Sequence, residues 1–379
     1  MKKIAILGIT GSIGTSAIEV IREHQDEFQI VLASSHQNSE KLFQLAEEFD
    51  ISQIVLTNEN LKISSNLENS KLYFGHHELQ QLLKSVDCDI VLNAISGSAG
   101  LVYSDITISR NCDLALANKE SLVMAGHILM NKVSNCKILP VDSEHSAILQ
   151  SLGNAKIEEV ESLILTASGG PFRDYPLNKF NEITLKQALS HPNWEMGKKI
   201  TIDSATMMNK ALEVIEAHWL FNVEFEKIKT VIHPQSIIHS FVEFVDGSIV
   251  SQMGFPTMKI PILFALTYPQ HIVSKIAKTN ILDVQNLSFE KVENVRYPLF
   301  EFAISVGREG GLLPTVLNAA NEAAVQLFLD EKIDFPQINN IVQTATKREI
   351  NRQNPNLEEI IFTNQEIYQK TLRDFKILI

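Results

Sequence analysis

Short unbroken apolar runs mark the first 142 residues. KIAIL leads into a glycine-rich stretch and then the helix-like TSAIEVIREH. Three further runs, CDIVLN, CDLALAN and CKILPVD, each open on a cysteine, with 24 residues from one cysteine to the next. Runs of this kind, spaced widely enough for a crossover of a dozen or more residues, predict parallel strands alternating with helices. The three runs end in Asn93, Asn118 and Asp142. Ligands of an open α/β sheet lie beyond the carboxyl ends of its strands, so these polar residues are expected on the ligand-binding edge.

From about residue 143 the pattern changes. Loops at SGG, HPNW and GKK separate apolar segments, and IIHSFVEFVDGSIVSQMG reads as a hairpin turning at Asp246-Gly247. Residues 268–293 read as a connecting segment. After GREGG, the run PTVLNAANEAAVQLFL has the leading proline and the alanine and leucine content of a helix, and a helical tail follows. The pattern predicts an α/β domain over 1–142, a central α+β domain over 143–267, a linker over 268–293 and a C-terminal helical domain over 294–379. A chain of 379 residues is long enough for two or three such cores.

Charge narrows the function. A formal charge of −12 argues against a nucleic-acid surface, so any anionic ligand must be met by a local site. No apolar run approaches the roughly 18 residues of a membrane span. The opening MKKIAILG is broken by Thr10, Gly11 and Ser12 well short of a secretory signal, and a cytoplasmic chain is expected. Cys88, Cys112 and Cys136 are odd in number and far apart, which implies neither a disulfide framework nor a zinc site.

Candidate chemistry begins at Gly8, Gly11 and Gly14. The strict G-x-G-x-x-G fingerprint fails because Ile9 stands at its first glycine, but G-x-x-G-x-x-G survives between a strand and a helix, with Thr10 and Ser12 as hydroxyl donors. The ladder either cradles a pyrophosphate at the helix N-terminus or forms a tight structural turn. In PVDSEHSAI, Asp142 and Glu144 point the same way if the chain stays extended and then offer hard oxygens to Mg²⁺ or Mn²⁺. The alternative is a helix start with favourable acidic residues. In DSATMMNKALEVIEAHW, Asn209 and Glu213 are i, i+4 neighbours beside Lys210, fit to hold a metal and a polyol phosphate or to form a solvated face. Ser168-Gly-Gly presents either an anion-binding concavity or an ordinary turn. SHPNWEMGKK, with His191, Trp194, Met196 and Gly197, has the composition of a closing flap, against a satisfied loop histidine.

Together GITGSIG, ANKESLV, PVDSEHSAI, SGGPFR, HPNWEMGKKITIDSATMMNKALEVIEA, VIHPQSIIHS and LNAANEAAV resemble the 1-deoxy-D-xylulose 5-phosphate reductoisomerase family, in order and over almost the whole chain. The resemblance implies a Rossmann-like doubly wound parallel sheet, a central α+β catalytic domain, a C-terminal α-helical domain and a homodimer. It implies conversion of 1-deoxy-D-xylulose 5-phosphate to 2-C-methyl-D-erythritol 4-phosphate in non-mevalonate isoprenoid synthesis. NADPH and a divalent cation, Mg²⁺ or Mn²⁺ with Co²⁺ as a third candidate, would serve as cofactors. A carboxylate-bound cation would act as Lewis acid during the rearrangement, by retro-aldol or ketol shift, and hydride transfer would follow.

By matching motifs, Thr10, Gly11, Ser12 and Ile13 would hold the NADPH pyrophosphate, and Asn118, Glu120 and Gly197 would contact the cofactor. Asp142, Glu144 and Glu213 would be the metal ligands. Lys119, Ser143, Glu144, Ser168, His191, Trp194, Ser204, Asn209, Lys210 and Glu213 would bind the substrate, with Lys119, Asp142, Glu144, His191 and Glu213 as the catalytic set. One departure stands after the second strand. Family members carry a basic turn where this chain has Ser35, His36 and Gln37, expected to meet the 2′-phosphate only in part. Rival readings are a simple NADP-dependent dehydrogenase, which has no need of the three carboxylates, a non-catalytic nucleotide sensor, and a relative with a changed substrate.

Overall fold

The computed structural model describes residues 1–61, 63, 67–194 and 196–378. The chain forms two compact units, the first from residues 1–118, 129–146 and 257–278, the second from residues 119–128, 147–256 and 279–379.

The first unit is built on seven parallel strands: β1 (Lys2–Leu7), β2 (Phe28–Ser35), β3 (Gln53–Leu56), β4 (Lys71–Phe74), β5 (Ile90–Asn93), β6 (Asp113–Leu116) and β7 (Ile138–Pro140). Their order is β4-β3-β2-β1-β5-β6-β7, a doubly wound sheet that reverses direction between β1 and β5. Ile4 to Leu7 and all of β5 are buried, which is why these strands read as continuous apolar runs: helices cover both faces of a parallel sheet. The crossovers carry α1 (Ser12–Glu23), α2 (Ser39–Glu48), α3 (Gly75–Ser85) and α4 (Leu101–Ser109). The cysteine-headed runs are β5, β6 and β7, as their spacing predicts. Helix α5 (Lys119–Lys132) loses helical geometry at Ala125, with residues up to Ile128 in the second unit and from Leu129 in the first. Helix α6 (Ser143–Leu152) changes unit after Ser146.

The second unit has four strands, β8 (Val160–Ala167), β9 (Ile228–Ile232), β10 (Ile238–Phe244) and β11 (Ile249–Met253), in the order β11-β10-β8-β9. Asp246-Gly247 makes the expected hairpin turn, Gly247 standing at φ +84° and the Ser248 N–H donating to Asp246. Between the strands run α7 (Leu185–Ala188), α8 (Lys198–Ala205) and α9 (Met208–Phe221). GKK is a correction to the sequence reading: it is no loop, because Gly197 caps α8 and both lysines lie inside the helix. The chain then rejoins the first unit as α10 (Lys259–Thr267), which packs on α1, with Lys259 paired to Glu19 at 2.5 Å and Lys2 Nζ donating to the Leu266 carbonyl at 2.9 Å.

Residues 268–293 contain one 3₁₀ turn, Ile281–Asp283, and a bridge from Glu290 to Ile232. Four helices complete the second unit: α11 (Pro298–Glu309), α12 (Leu313–Leu329), α13 (Phe335–Arg348) and α14 (Leu357–Leu378). Leu163 of β8, Ile202 of α8, Leu212 of α9, Leu317 of α12 and Ile338 of α13 belong to one continuous core, so the helical tail completes the interior that β8 to α9 begin.

Candidate active site

In the first unit the glycine ladder sits at the reversal of strand order. Gly8 leaves β1 at φ +84°, a conformation that L side chains rarely adopt, and a Cβ there would meet the Ala94 carbonyl at 2.8 Å. Gly14 lies in α1, where a Cβ would stand 2.4 Å from the carbonyl oxygens of Gly8 and Ile9. The two glycines let helix and loop approach closely, as a dinucleotide turn requires. Gly11 and Ser12 are exposed, Thr10 and Ile13 are half-buried, and no side chain caps the N-terminus of α1.

Thr10 Oγ1 lies 2.8 Å from Ser35 Oγ, tying the ladder to the end of β2. Beyond it His36 and Gln37 are exposed, and His36 Nδ1 meets Thr57 Oγ1 at 3.0 Å. Lys41, which no motif singled out, donates to Thr15 Oγ1 at 2.6 Å and brings a cation beside the ladder.

Asn93, Asn118 and Asp142 do lie at the carboxyl ends of β5, β6 and β7. The Asn93 amide donates to Gly100 O and Ser104 Oγ, both at 2.9 Å, while the Asn118 amide donates to Ile95 O at 2.8 Å and Gly97 O at 2.7 Å. Both asparagines thus shape the loop after β5. Of the two alternatives for Asp142 and Glu144, the helix start is the one observed: α6 begins at Ser143, Glu144 stands in its first turn, and Ser143 Oγ donates to Glu144 Oε2 at 2.7 Å. His145, missed in the sequence, is buried and places a ring nitrogen within 4.8 Å of an Asp142 carboxylate oxygen.

In the second unit α9 starts from Met207 in the left-handed conformation and carries Asn209, Lys210 and Glu213. The solvated-face alternative is excluded, since Lys210 is 4% and Glu213 2% exposed. Lys119, the first residue of α5, donates to Asn209 Oδ1 at 2.8 Å and to Glu213 Oε1 at 3.2 Å. The Asn209 amide and the Lys210 ammonium also donate to the Glu213 carboxylate. Two ammonium groups and an amide therefore converge on one buried carboxylate.

Ser168, His191 and Ser204 meet in a second cluster. His191 Nε2 lies 3.1 Å from both Ser168 Oγ and Ser204 Oγ, and its Nδ1 accepts from the backbone N–H groups of Asn193 (3.2 Å) and Trp194 (3.0 Å). Because Nδ1 accepts, the proton of the neutral ring sits on Nε2 and points at the two hydroxyls. Burial pushes the His191 pKa down to about 4, which keeps that tautomer neutral at pH 7. Gly170 N donates to Ser168 Oγ, and a Cβ on Gly170 would meet Ser204 O at 2.7 Å, so the SGG turn is shaped by this packing. The half-buried Trp194 lies 6.1 Å from the His239 ring, and the Asn193 amide bonds Pro234 O and Ser236 Oγ. Gly197 is exposed; Glu195 of the same segment lies outside the described residues.

Sequence reasoning also missed a polar chain beneath these residues. Lys199 Nζ bonds Glu120 Oε1 at 2.7 Å and Asp203 Oδ2 at 2.8 Å, and the Asn321 amide donates to Asp203 Oδ1 at 2.8 Å. Burial raises the Glu120 carboxyl, but the Lys199 charge and hydrogen bond outweigh it and hold Glu120 below the usual range. The ammonium of Lys199 is held above its ordinary value, since Asp203 and Glu120 outweigh its own desolvation. The i, i+4 spacing of Lys199 and Asp203 was the available signal.

Comparison with known proteins identifies the family. Residues 4–126 match the family described as 1-deoxy-D-xylulose 5-phosphate reductoisomerase, residues 138–221 its C-terminal domain, and residues 253–370 the DXP reductoisomerase C-terminal domain. The 1-deoxy-D-xylulose 5-phosphate reductoisomerase of Listeria welshimeri serovar 6b is 46% identical, covering 98% of this chain and 100% of its own. That of Clostridium kluyveri is 45% identical, covering 92% of each. Among solved structures, a DOX-P reductoisomerase in complex with NADPH, fosmidomycin and magnesium superposes with a TM-score of 0.94 at 35% identity over 100% of this chain and 99% of that one. The Zymomonas mobilis enzyme in complex with NADPH gives 0.91 at 35% identity, over 99% of both. The chain belongs to the 1-deoxy-D-xylulose 5-phosphate reductoisomerase family.

Proposed function

We propose that this protein converts 1-deoxy-D-xylulose 5-phosphate to 2-C-methyl-D-erythritol 4-phosphate, using NADPH and Mg²⁺ or Mn²⁺, with Co²⁺ as a third candidate, in non-mevalonate isoprenoid synthesis. The observation that carries it is the burial of Glu213 with Lys119 and Lys210, beside the half-buried Asn209. Burying so much charge is costly for a fold and typical of a site for a charged substrate. The relatives that bind NADPH and magnesium support the cofactors.

For the cation we assign Asp142, Glu144 and Glu213, whose donors are all carboxylate oxygens, the chemistry a hard divalent ion prefers. Bound there, the cation would supply Lewis-acid polarisation of the substrate's oxygens. Lys119 and Lys210 would hold anionic substrate oxygens, and Asn209 would orient them. Ser143, Ser168, Ser204 and the Nε2–H of His191 would donate to the phosphate and hydroxyls, His191 being kept neutral by its burial and its proton being kept on Nε2 by the N–H groups that Nδ1 accepts. Trp194 would cover the substrate and exclude water.

The uncapped start of α1, with Thr10, Gly11, Ser12 and Ile13, would take the NADPH pyrophosphate, and Ser35 and Gln37 would flank the adenosine ribose with Lys41 supplying charge for the 2′-phosphate. Asn118 would act by shaping the loop after β5, and Gly197 would lie near the cofactor. Glu120 acts through its bond to Lys199. We also propose a homodimer, supported by the edge strand β11, on which Ile249 and Val250 are 56% and 42% exposed. Among the described residues no helix is long and apolar enough to cross a membrane, and we place the protein in the cytoplasm.

The deciding experiment is NADPH oxidation with 1-deoxy-D-xylulose 5-phosphate, with and without a chelator. Substrate-dependent oxidation that stops on chelation is expected. Metal-independent turnover would favour a simple dehydrogenase, and NADPH binding without turnover a nucleotide sensor. Light scattering at micromolar concentration tests the dimer, and a monomer mass overturns it.

A further inference from the structure

Cys88 and Cys112 are separated by 24 residues, yet Cys112 immediately precedes β6 and Cys88 stands two residues before its neighbour β5, the register of the pair setting Ile90 against Asp113. Strand pairing brings their sulfurs to 3.8 Å, and Cys112 Sγ also lies 3.4 Å from the Cys88 carbonyl oxygen. The two differ in access: Cys112 is buried, whereas Cys88 is half-buried. One thiol therefore meets solvent with the second directly behind it. Arg110, whose guanidinium is clamped by the Leu83 and Val86 carbonyls, stands near both. The third cysteine, Cys136, is buried and donates to the Ile108 carbonyl.

We propose that Cys88 and Cys112 form a redox-active dithiol that a hydroperoxide closes into an intrachain disulfide. In the first step the Cys88 thiolate attacks one peroxide oxygen, the O–O bond breaks, and the departing hydroxide takes up a proton as water, leaving Cys88 as a sulfenic acid. In the second the Cys112 sulfur attacks the Cys88 sulfur. The S–S bond forms, the S–O bond breaks, and hydroxide leaves with the Cys112 proton as a second water. Two thiols lose two electrons in all, and the peroxide gains them.

Three features favour this course. The sulfurs need to close by about 1.8 Å to reach bonding distance, within the reach of side-chain rotation. The hydrogen bond from Cys112 and the charge of Arg110 hold the Cys88 thiol below its ordinary value, outweighing burial and the nearby Asp89 and Asp87 carboxylates. Disulfides of cytosolic proteins are mostly transient and redox-sensing, which suits a pair at the amino-terminal ends of β5 and β6, the sheet edge opposite the glycine ladder.

The test treats the folded protein with hydrogen peroxide, alkylates remaining thiols, and maps the peptides without reduction. Loss of two of the three thiols is expected, with Cys88 linked to Cys112, Cys136 alkylated, and full recovery on adding dithiothreitol. In Cys112→Ser, Cys88 should stop at the sulfenic acid and be captured by dimedone. Three alkylated cysteines after peroxide, a Cys88 sulfinic acid beside a free Cys112, or a link only between two chains would each overturn the proposal. The wild-type map decides it even if the variant misfolds.

Discussion

Replacing Glu213 with glutamine keeps the shape of a buried side chain and removes its charge. In the wild type that charge is shared by Lys119, 3.2 Å away, and Lys210, which are themselves 5% and 4% exposed. Removing one partner of a buried ion pair costs about 3–5 kcal/mol, because the remaining charge keeps its desolvation penalty. The glutamine carbonyl still accepts a hydrogen bond from an ammonium, a contact of roughly 1.5–3 kcal/mol, so the low end near 3 kcal/mol is the expected loss. Both tryptophans, Trp194 and Trp219, lie in the second unit, and their fluorescence during urea unfolding reads that unit alone. In chelator, Glu213→Gln should unfold at clearly lower urea and, at saturating Mg²⁺, lose most turnover. Adding Lys210→Met should restore part of the stability and none of the turnover, since it removes one of the two ammonium groups left without this carboxylate. An unchanged midpoint would refute the electrostatic argument, and near-normal turnover would remove Glu213 from the cation site.

Gly14→Ala places a methyl 2.4 Å from two carbonyl oxygens and should cost about 1–3 kcal/mol and most NADPH affinity, whereas Gly11→Ala, whose methyl would stand 3.3 Å from Gly8 O, should be milder; equal NADPH titrations of both variants would count against the close-approach argument. His191 stays neutral in the folded protein down to about pH 4, while in the unfolded chain it protonates near its usual 6.5. Its contribution is therefore fully present above about pH 6.5 and lost as pH falls towards 4, by about 1–2 kcal/mol once its partial exposure is discounted, and urea midpoints at pH 7 and 5 that fall equally in wild type and His191→Gln would disprove it. Lys210→Ala should weaken a phosphonate-hydroxamate ligand by about 2–5 kcal/mol and leave NADPH titration nearly unchanged. Equal losses for both ligands would indicate a damaged fold, and no loss for the phosphonate would place the phosphate elsewhere.

The parts of this fold that can be read from the chain are those where neighbours in sequence decide the outcome. Continuous runs such as CDIVLN become β5 because a strand buried on both faces needs no polar alternation, and Asp246-Gly247 closes its hairpin by local geometry alone. What the pattern conceals is decided by distant partners. Nothing local to residues 257–278 tells that α10 packs on α1, and nothing local to 294–379 tells that these helices complete the core that β8 begins.

Polar residues escape the sequence pattern for one physical reason. Hydrophobic patterning treats a charge as solvent-exposed, but a charge can be buried when another buried charge offsets its desolvation. GKK reads as loop because Glu120, the partner of Lys199, lies 79 residues away, and Lys210 and Glu213 allow a solvated face because Lys119 lies 94 residues from Glu213. Cys88 and Cys112 looked unrelated on the same grounds of distance. Motif resemblance supplied Lys119, Lys210 and Glu213 as site residues without supplying their burial. The structure adds that Lys199, Asp203 and Asn321, outside the site set drawn from the motifs, join α5, α8 and α12 around Glu120, the residue next to Lys119. Lys119 donates to Glu213 from the first turn of α5, and the half-buried Lys199 ties that same turn to α8 through its bond to Glu120, so a residue outside the motifs helps to set where the Lys119 ammonium stands.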